Sequence, residues 1–147
     1  MGTDGSDLAI DAAEAGLGIL APSDRVLVVS VTEGPDSSLA DDATGHAGAS
    51  MTADEWESQS REARARSQAA VDATIAALRE RGTLPEGGEA IVMEGESGPA
   101  LCKLAQDVGA AAIVIGSRGR GGIKRAFLGS VSDHVVRNAP CPVVVTR

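Results

Sequence analysis

The sequence of 147 residues is poor in aromatic side chains, with one Trp, one Phe and no Tyr. A hydrophobic core therefore has to be built from aliphatic side chains. Apolar residues still make up 43% of the chain, which is enough for a core rich in Val, Ile, Leu and Ala. A chain of this length is expected to fold as one domain, spanning residues 1–147.

Cysteine, long apolar runs and targeting signals are also scarce. The two cysteines, Cys102 and Cys141, lie far apart and form neither a metal-ligand spacing nor a disulfide framework. No apolar run approaches the roughly 18 residues of a membrane-spanning helix. Residues 1–20 carry four acidic side chains and no basic one, unlike a signal peptide. We therefore expect a cytoplasmic protein with no membrane partner and no metal site of its own.

Basic side chains are a minority: 13 Lys and Arg stand against 21 Asp and Glu, which gives a formal net charge of −8. This balance argues against nucleic-acid binding, which requires a broad basic face. From Gly116 onward, however, six basic residues accompany a single acidic one, Asp133. A local basic patch in an acidic chain favours a small phosphorylated ligand.

The most informative stretch runs from Ala110 to Ser130 and reads AAAIVIGSRGRGGIKRAFLGS. Its apolar first part stops at Gly116 and predicts a buried parallel strand. A basic loop with several glycines follows, and glycine lets a backbone approach a ligand closely. A helix that begins at Ser130 would add free N–H groups and the positive end of its dipole. The order of strand, glycine loop and helix predicts a phosphate-binding site.

The spacing of the glycines excludes two common phosphate-binding motifs. The P-loop requires Lys where this chain has Gly122, and the dinucleotide fingerprint requires Gly where it has Lys124. The remaining pattern, G-x2-G-x9-G-S, resembles the nucleotide-binding signature of the universal stress protein family. The segment that follows, as far as Val145, resembles the C-terminal helix and last strand of that family. Gly116, Gly119, Gly129 and Ser130 fill the signature.

Helices and strands are predicted to alternate along the whole chain. Ser6 or Asp7 is predicted to cap a helix that ends near Leu20. A long acidic loop over 33–53 separates the next strand from a long amphipathic helix. Strands are predicted at 25–32, 89–94, 110–115 and 142–146, and further helices at 54–81, 99–108 and 130–138.

This order predicts an α/β fold, a doubly wound parallel sheet of five strands with helices on both faces. The fold that the resemblance implies has its first strand at the centre of the sheet. Only three residues precede Asp4 in this chain, so we expect that strand to be truncated. A start site assigned too far downstream would explain the truncation.

The resemblance also implies roles for individual residues at the carboxyl edge of the sheet, where such folds bind ligands. Asp4, with Thr3 beside it, is expected to contact the ribose and the adenine side. The backbone of Val31 is expected to pair with the adenine edge. The loop would pass beneath the ribose and α-phosphate, and the next helix would hold the outer phosphates. The loop residues are Gly116, Ser117, Arg118 and Gly119, and the helix-start residues are Gly129, Ser130, Val131 and Ser132.

Three of these positions also have a purely structural interpretation. Asp4 is suited to a turn or a helix cap, Val31 to the core, and Ser130 to an N-cap that accepts a hydrogen bond from the Asp133 N–H. Because a cap and a phosphate use neighbouring N–H groups, Ser130 is able to serve both purposes.

The resemblance implies an ATP-binding stress-response or signalling module, with Mg²⁺ accompanying the nucleotide. Phosphoryl transfer needs a base or a residue that orients water, and the loop contains no His, Asp or Glu. We therefore expect binding without efficient turnover and assign no catalytic residue. The alternatives are a slow ATPase or self-phosphorylating protein, and a nucleotide-free structural dimer of the same fold. Spacing alone does not distinguish a cyclic nucleotide from ATP.

The last predicted strand, 142–146, has no charge inside its apolar run. An unprotected apolar edge tends to pair with another strand. The sequence therefore predicts a homodimer joined through this strand, and the resemblance implies the same.

Overall fold

The computed structural model describes residues 1–20, 25–34, 52–117 and 128–147. Within these ranges, four helices alternate with four strands in the order expected from the sequence. The elements are α1 (Asp7–Ile19), β1 (Val26–Thr32), α2 (Ala53–Glu80), β2 (Gly88–Glu94), α3 (Ser97–Asp107), β3 (Ile113–Gly116), α4 (Ser130–Asn138) and β4 (Val143–Thr146). The α/β architecture is confirmed.

The strands form two parallel pairs. β1 pairs with β2 along seven residues, from Val26 opposite Gly88 to Thr32 opposite Glu94. β3 pairs with β4 over a shorter register, from 113 opposite 143 to 116 opposite 146. The sequences VLVVSVT in β1 and VVVT in β4 are dominated by β-branched residues, which suit strands covered on both faces.

Residues 1–3 lie between the two strand pairs and connect them. Gly2 forms a parallel bridge with Val29 of β1. The Val29 N–H donates to the Met1 carbonyl at 2.8 Å, and the Thr3 N–H donates to the Val29 carbonyl at 2.9 Å. On the other side, the Gly2 N–H donates to the carbonyl of Val114 in β3 at 3.0 Å. The ladders of the described residues are two-stranded, so a continuous five-stranded sheet remains a prediction.

Helices cover both faces of the strands. Successive side chains of β1 point to opposite faces, so neighbouring residues pack against different helices. Val28 packs with Val71 and Ile75 of α2 in one buried cluster. The next residue, Val29, packs with Leu101 of α3 and Val135 of α4 in another. The core is therefore split into two layers, and both are aliphatic, as the near absence of aromatic residues predicts.

Helix α1 lies on the same face as α2 and packs closely on β3 and β4. A Cβ atom at Gly16 would lie 2.2 Å from Cγ1 of Val114, so a residue without a side chain is required there. The hydroxyl of Thr146, in β4, donates to the Ala12 carbonyl at 2.6 Å. Ile10 and Ala13 of α1 complete the layer with Leu78 of α2.

Two elements begin more than one residue away from the start that the sequence predicts. β3 begins at Ile113 rather than at Ala110, because the Ala110 N–H donates to the carbonyl of Ala105 in α3 at 2.9 Å. Gly109 has a positive φ of 61° and turns the chain there. α3 begins two residues before Pro99, which occupies the first turn, where a missing N–H costs little.

A cavity of about 690 Å³ lies at the amino ends of β1 and β3. Its wall includes Met1, whose amino group donates a hydrogen bond to the Leu27 carbonyl. The remaining wall is mainly apolar and includes Leu17, Leu101 and Val114. This cavity is at the opposite edge of the sheet from the expected ligand site. No helix in the described ranges is long and apolar enough to span a membrane.

Candidate functional site

The residues expected to bind a ligand meet at the carboxyl edge of the parallel strands. Thr3 and Asp4 follow the bridge between the strand pairs, Val31 lies near the end of β1, and Gly116 ends β3. Because all these segments run in parallel, their carboxyl ends face the same side. Arg118 and Gly119 lie outside the described residues. The other expected site residues are Ser117, Gly129, Ser130, Val131 and Ser132.

Two hydrogen bonds hold the start of α4 beside the end of β3. The Gly129 N–H donates to the Ser117 carbonyl at 3.0 Å. The hydroxyl of Ser132 donates to the Gly116 carbonyl at 2.7 Å. Ser117 and Ser132 are both buried. The end of β3 and the start of α4 thus lie side by side, as predicted. Both hydrogen bonds that hold them there are made by residues of the expected site.

The first turn of α4 presents backbone donors to this edge. Gly129 is the N-cap, with φ −62° and ψ 158°, and no side chain caps the helix. The first bond within the helix runs from the Asp133 N–H to the Gly129 carbonyl at 2.8 Å. The N–H groups of residues 130–132 precede that bond and have no acceptor within the helix. The alternative interpretation of Ser130 as the N-cap is wrong, because Gly129 has the extended backbone that a cap requires.

The one acidic residue in this turn is engaged elsewhere. Arg137 donates to Asp133 Oδ2 at 2.9 Å. This hydrogen bond lowers the pKa of Asp133, with a smaller coulombic contribution from the same guanidinium. Asp133 is therefore an ion-paired carboxylate and a poor proton acceptor.

Asp4 is held in a tight turn before α1. Its Oδ1 accepts hydrogen bonds from the Ser6 N–H at 3.0 Å and from the Ser6 hydroxyl at 2.6 Å. The hydroxyl oxygen of Ser6 in turn accepts from the Ala9 N–H at 3.3 Å and caps α1. The turn interpretation of Asp4 is confirmed, and Ser6 rather than Asp7 is the cap.

The end of β1 contributes backbone groups and one buried hydroxyl. Val31 is half-buried and packs against the cluster formed with α3 and α4, as the core interpretation predicted. Thr32 is 6% exposed, and its Oγ1 has no hydrogen-bond partner among the described residues. Sequence reasoning missed Thr32, because a threonine within a β-branched run is typical of any strand.

The start of α3 is tied to the same edge. The hydroxyl of Ser97 donates to Glu33 Oε1 at 2.8 Å, which connects the chain after β1 to this helix. In the part of the chain that the structure describes, no group of three or more His, Cys, Asp or Glu side chains is placed to hold a metal ion. The described groups at this edge are thus mainly backbone donors, hydroxyls and the carboxylates of Asp4 and Glu33.

The sequence as a whole matches one family model. The model, described as the universal stress protein family, matches residues 1–147. This chain belongs to the universal stress protein family. A putative universal stress protein of Staphylococcus epidermidis is 51% identical to it over 45 residues, which are 31% of this chain and 27% of that protein. The match therefore spans about a quarter of the relative's length.

Solved structures of universal stress proteins share the fold. UspA from Lactobacillus plantarum aligns with a TM-score of 0.73 at 22% identity, covering 99% of this chain and 94% of that one. A universal stress protein in complex with cAMP aligns with a TM-score of 0.64 at 24% identity, covering 100% and 94%. The family that the glycine signature predicted is confirmed, and so is its α/β fold, whereas the doubly wound sheet of five strands stays a prediction. The assignment to the ATP-binding type stays a prediction.

Proposed function

We propose that this universal stress protein is an adenine-nucleotide-binding module of stress response or signalling, with ATP and its Mg²⁺ as the ligand. The observation that carries the proposal is the first turn of α4. The N–H groups of Ser130, Val131 and Ser132 lie without helical acceptors beside the end of β3. A helix N-terminus of this kind favours phosphate through its free donors and its dipole.

The end of β1 supports a place for the adenine. The backbone groups of Val29 face residues 1–3, since they bond to Met1 and Thr3. Backbone direction alternates along a strand, so the groups of Val31 face the same side, two residues further on. At that level the N-terminal segment turns away through Asp4. The space beside Val31 therefore suits the hydrogen-bonding edge of a planar base, and Asp4 is suited to a ribose hydroxyl.

We propose binding without efficient turnover. The carboxylate closest to the phosphate-binding turn, Asp133, is paired with Arg137. The described residues between β3 and Asp133, which are 117 and 128–132, include no acidic side chain and no His. A slow ATPase or self-phosphorylating protein remains the catalytic alternative. A cyclic nucleotide is the second candidate ligand, since a universal stress protein of the same fold is in complex with cAMP.

Calorimetric titration of the purified protein with ATP and Mg²⁺, and in parallel with AMP, cAMP and adenosine, tests the proposal. Ser130→Pro removes one N–H at the first helical position, where proline is well accommodated. Ser130→Ala is the matched control, because it removes the hydroxyl and keeps the N–H. We expect Ser130→Pro to weaken ATP binding about tenfold, the effect of one lost charge-assisted hydrogen bond, and to leave adenosine unaffected. Equal ATP affinities in the two variants would contradict phosphate binding at this turn.

A further inference from the structure

A buried chain of hydrogen bonds connects the middle of α2 to the loop that carries Asp4. The hydroxyl of Thr74, which is fully buried, donates to the Ala70 carbonyl at 2.8 Å. The hydroxyl oxygens of Thr74 and Thr3 are 2.8 Å apart. The Gly5 N–H donates to the hydroxyl oxygen of Thr3 at 3.0 Å. Residues more than 70 positions apart are thereby joined directly.

The available protons determine which hydroxyl donates in the hydrogen bond between Thr3 and Thr74. A threonine hydroxyl has a single proton and can also accept. The proton of Thr74 is used on the Ala70 carbonyl, so Thr74 accepts from the hydroxyl of Thr3. Thr3 in turn accepts from the Gly5 N–H. Each member is satisfied, and removing the Thr74 hydroxyl would leave the proton of the half-buried Thr3 hydroxyl without its acceptor.

Close packing fixes the same loop against the same turn of α2. Gly5 has a φ of +77°, and a Cβ there would lie 2.6 Å from Cα and 2.7 Å from Cβ of Ala70. Glycine is therefore required both by the backbone conformation and by the contact. Ala70 is also the residue whose carbonyl accepts from Thr74. One turn of α2 thus holds the residues on both sides of Asp4, while Ser6 holds its carboxylate.

We infer that Thr74 is a positioning residue for nucleotide binding, which sets the orientation of Asp4 toward the ribose through Thr3 and Gly5. This inference rests on the proposed function. Thr74 is fully buried and does not itself reach the ligand. Its hydroxyl fixes the backbone around Asp4, so a displaced loop would move the carboxylate away from the ribose hydroxyls. The phosphate-binding turn of α4 would be unaffected.

Two substitutions at this position separate the hydroxyl from the shape of the side chain. Thr74→Val keeps the branched shape and removes the hydroxyl, whereas Thr74→Ser keeps the hydroxyl. The ligands are ATP and 2′,3′-dideoxy-ATP, which lacks the hydroxyls that Asp4 is proposed to bind. We expect Thr74→Val to bind ATP about tenfold more weakly, the effect of one lost hydrogen bond to a charged group, and dideoxy-ATP as the wild type does. Thr74→Ser should retain the preference for ATP.

The ratio of the two affinities decides the inference. A wild-type ratio in Thr74→Val would overturn it, whether neither affinity changes or both fall by the same factor. Amide hydrogen exchange of Gly5 in the nucleotide-free protein is the second measurement. Exchange should be faster in Thr74→Val than in Thr74→Ser, and unchanged exchange would show that Thr74 does not position the loop. If the wild type bound neither nucleotide while Gly5 exchange still responded, the proposed function would fail and the positioning of the loop would stand.

Discussion

Ser132 and Gly116 are joined by a hydrogen bond of 2.7 Å from the serine hydroxyl to the glycine carbonyl. The bond ties the first turn of α4 to the last residue of β3. It also commits the Ser132 hydroxyl to the protein, so that only the N–H of this residue is available to a phosphate. The side chain of Ser132 therefore stabilises the site, while its backbone is expected to contact the ligand.

Replacing Ser132 by Ala should consequently lower stability more than it lowers affinity. The lost bond leaves the part-buried Gly116 carbonyl with fewer partners, which costs about 1 kcal/mol. Ser130→Ala is the control, since Ser130 is exposed and surface substitutions usually change stability by less than about 0.5 kcal/mol. Urea unfolding of both variants measures the difference. Equal free energies of unfolding would show that the Ser132 bond contributes nothing.

The amino group of Met1 predicts a pH dependence of stability. Burial lowers the pKa of this group from 8.0 to about 6, because desolvation disfavours the charged form. Between these two values the unfolded chain binds more protons than the folded one, so stability rises with pH. The destabilisation is fully present below pH 6 and absent above pH 8. Its size is about 3 kcal/mol for a shift of two pKa units.

Urea unfolding between pH 5.5 and 8.5 measures this effect on a chain that carries a free Met1 amine. The matched control is the same chain acetylated at Met1. Acetylation removes the titrating proton and keeps an N–H donor for the Leu27 carbonyl, with which the amine bonds. The difference between the two chains should grow as the pH falls. Parallel curves would mean that the amine does not titrate in this range.

The cavity at the amino ends of β1 and β3 predicts that an added segment can stabilise the fold. A residue placed before Met1 would continue between β1 and β3, alongside Leu27, into about 690 Å³ of mainly apolar space. Burying a branched aliphatic side chain contributes about 1.5–3 kcal/mol, against about 1–2 kcal/mol for ordering its backbone.

An N-terminal extension of Ile-Val-Val should therefore raise Tm by more than an extension of Gly-Ser-Gly does, because both extensions move the charged amine but only the first adds buried apolar side chains. Scanning calorimetry of the two extended chains and the parent chain measures the effect. The Gly-Ser-Gly chain is the control for moving the charged amine away from Leu27. The same Tm for both extensions would contradict the prediction.

The sequence predicted the elements and the edge of the site because these depend on local patterns. A short β-branched apolar run that stops at a glycine, such as 113–115, favours a strand, and parallel strands bring their carboxyl ends to one edge. Asp4 and Gly116 could thus be placed together from the order of the elements alone. The extent of β3 was less predictable, since Ala110 is compatible with a strand and with the end of a helix.

The contacts that position the site could not be predicted in the same way. The bond between Thr3 and Thr74 depends on which turn of α2 faces the N-terminal loop, and no local pattern records that register. The alternative interpretation of Ser130 as the cap of α4 follows from the preference for serine at that position. The Ser117 carbonyl, which accepts from the Gly129 N–H, fixes Gly129 at that position instead. Tertiary contacts therefore determine both the register of α2 and the position of the α4 cap.

The outer edge of β4 predicts a homodimer. In the described part of the chain, β4 pairs with β3 alone. The Ile113 N–H bonds to the Pro142 carbonyl and the Ser117 N–H to the Thr146 carbonyl, so even-numbered residues of β4 face β3. The backbone groups of Val143 and Val145 therefore face outward. A twofold axis would let the same strand of a second copy pair with them antiparallel, in a contact that closes on itself.

Val145→Pro tests this contact without removing a bond to β3. It deletes an outward N–H and blocks strand pairing at an edge position, where proline is accepted. Val145→Ala shortens the side chain and keeps the N–H, so it serves as the control. We expect the wild type and Val145→Ala to have twice the 14.8 kDa mass of one chain by size exclusion with light scattering, and Val145→Pro to have the mass of one chain. A wild-type mass of one chain at every concentration would exclude pairing, and a dimeric Val145→Pro would place the interface elsewhere.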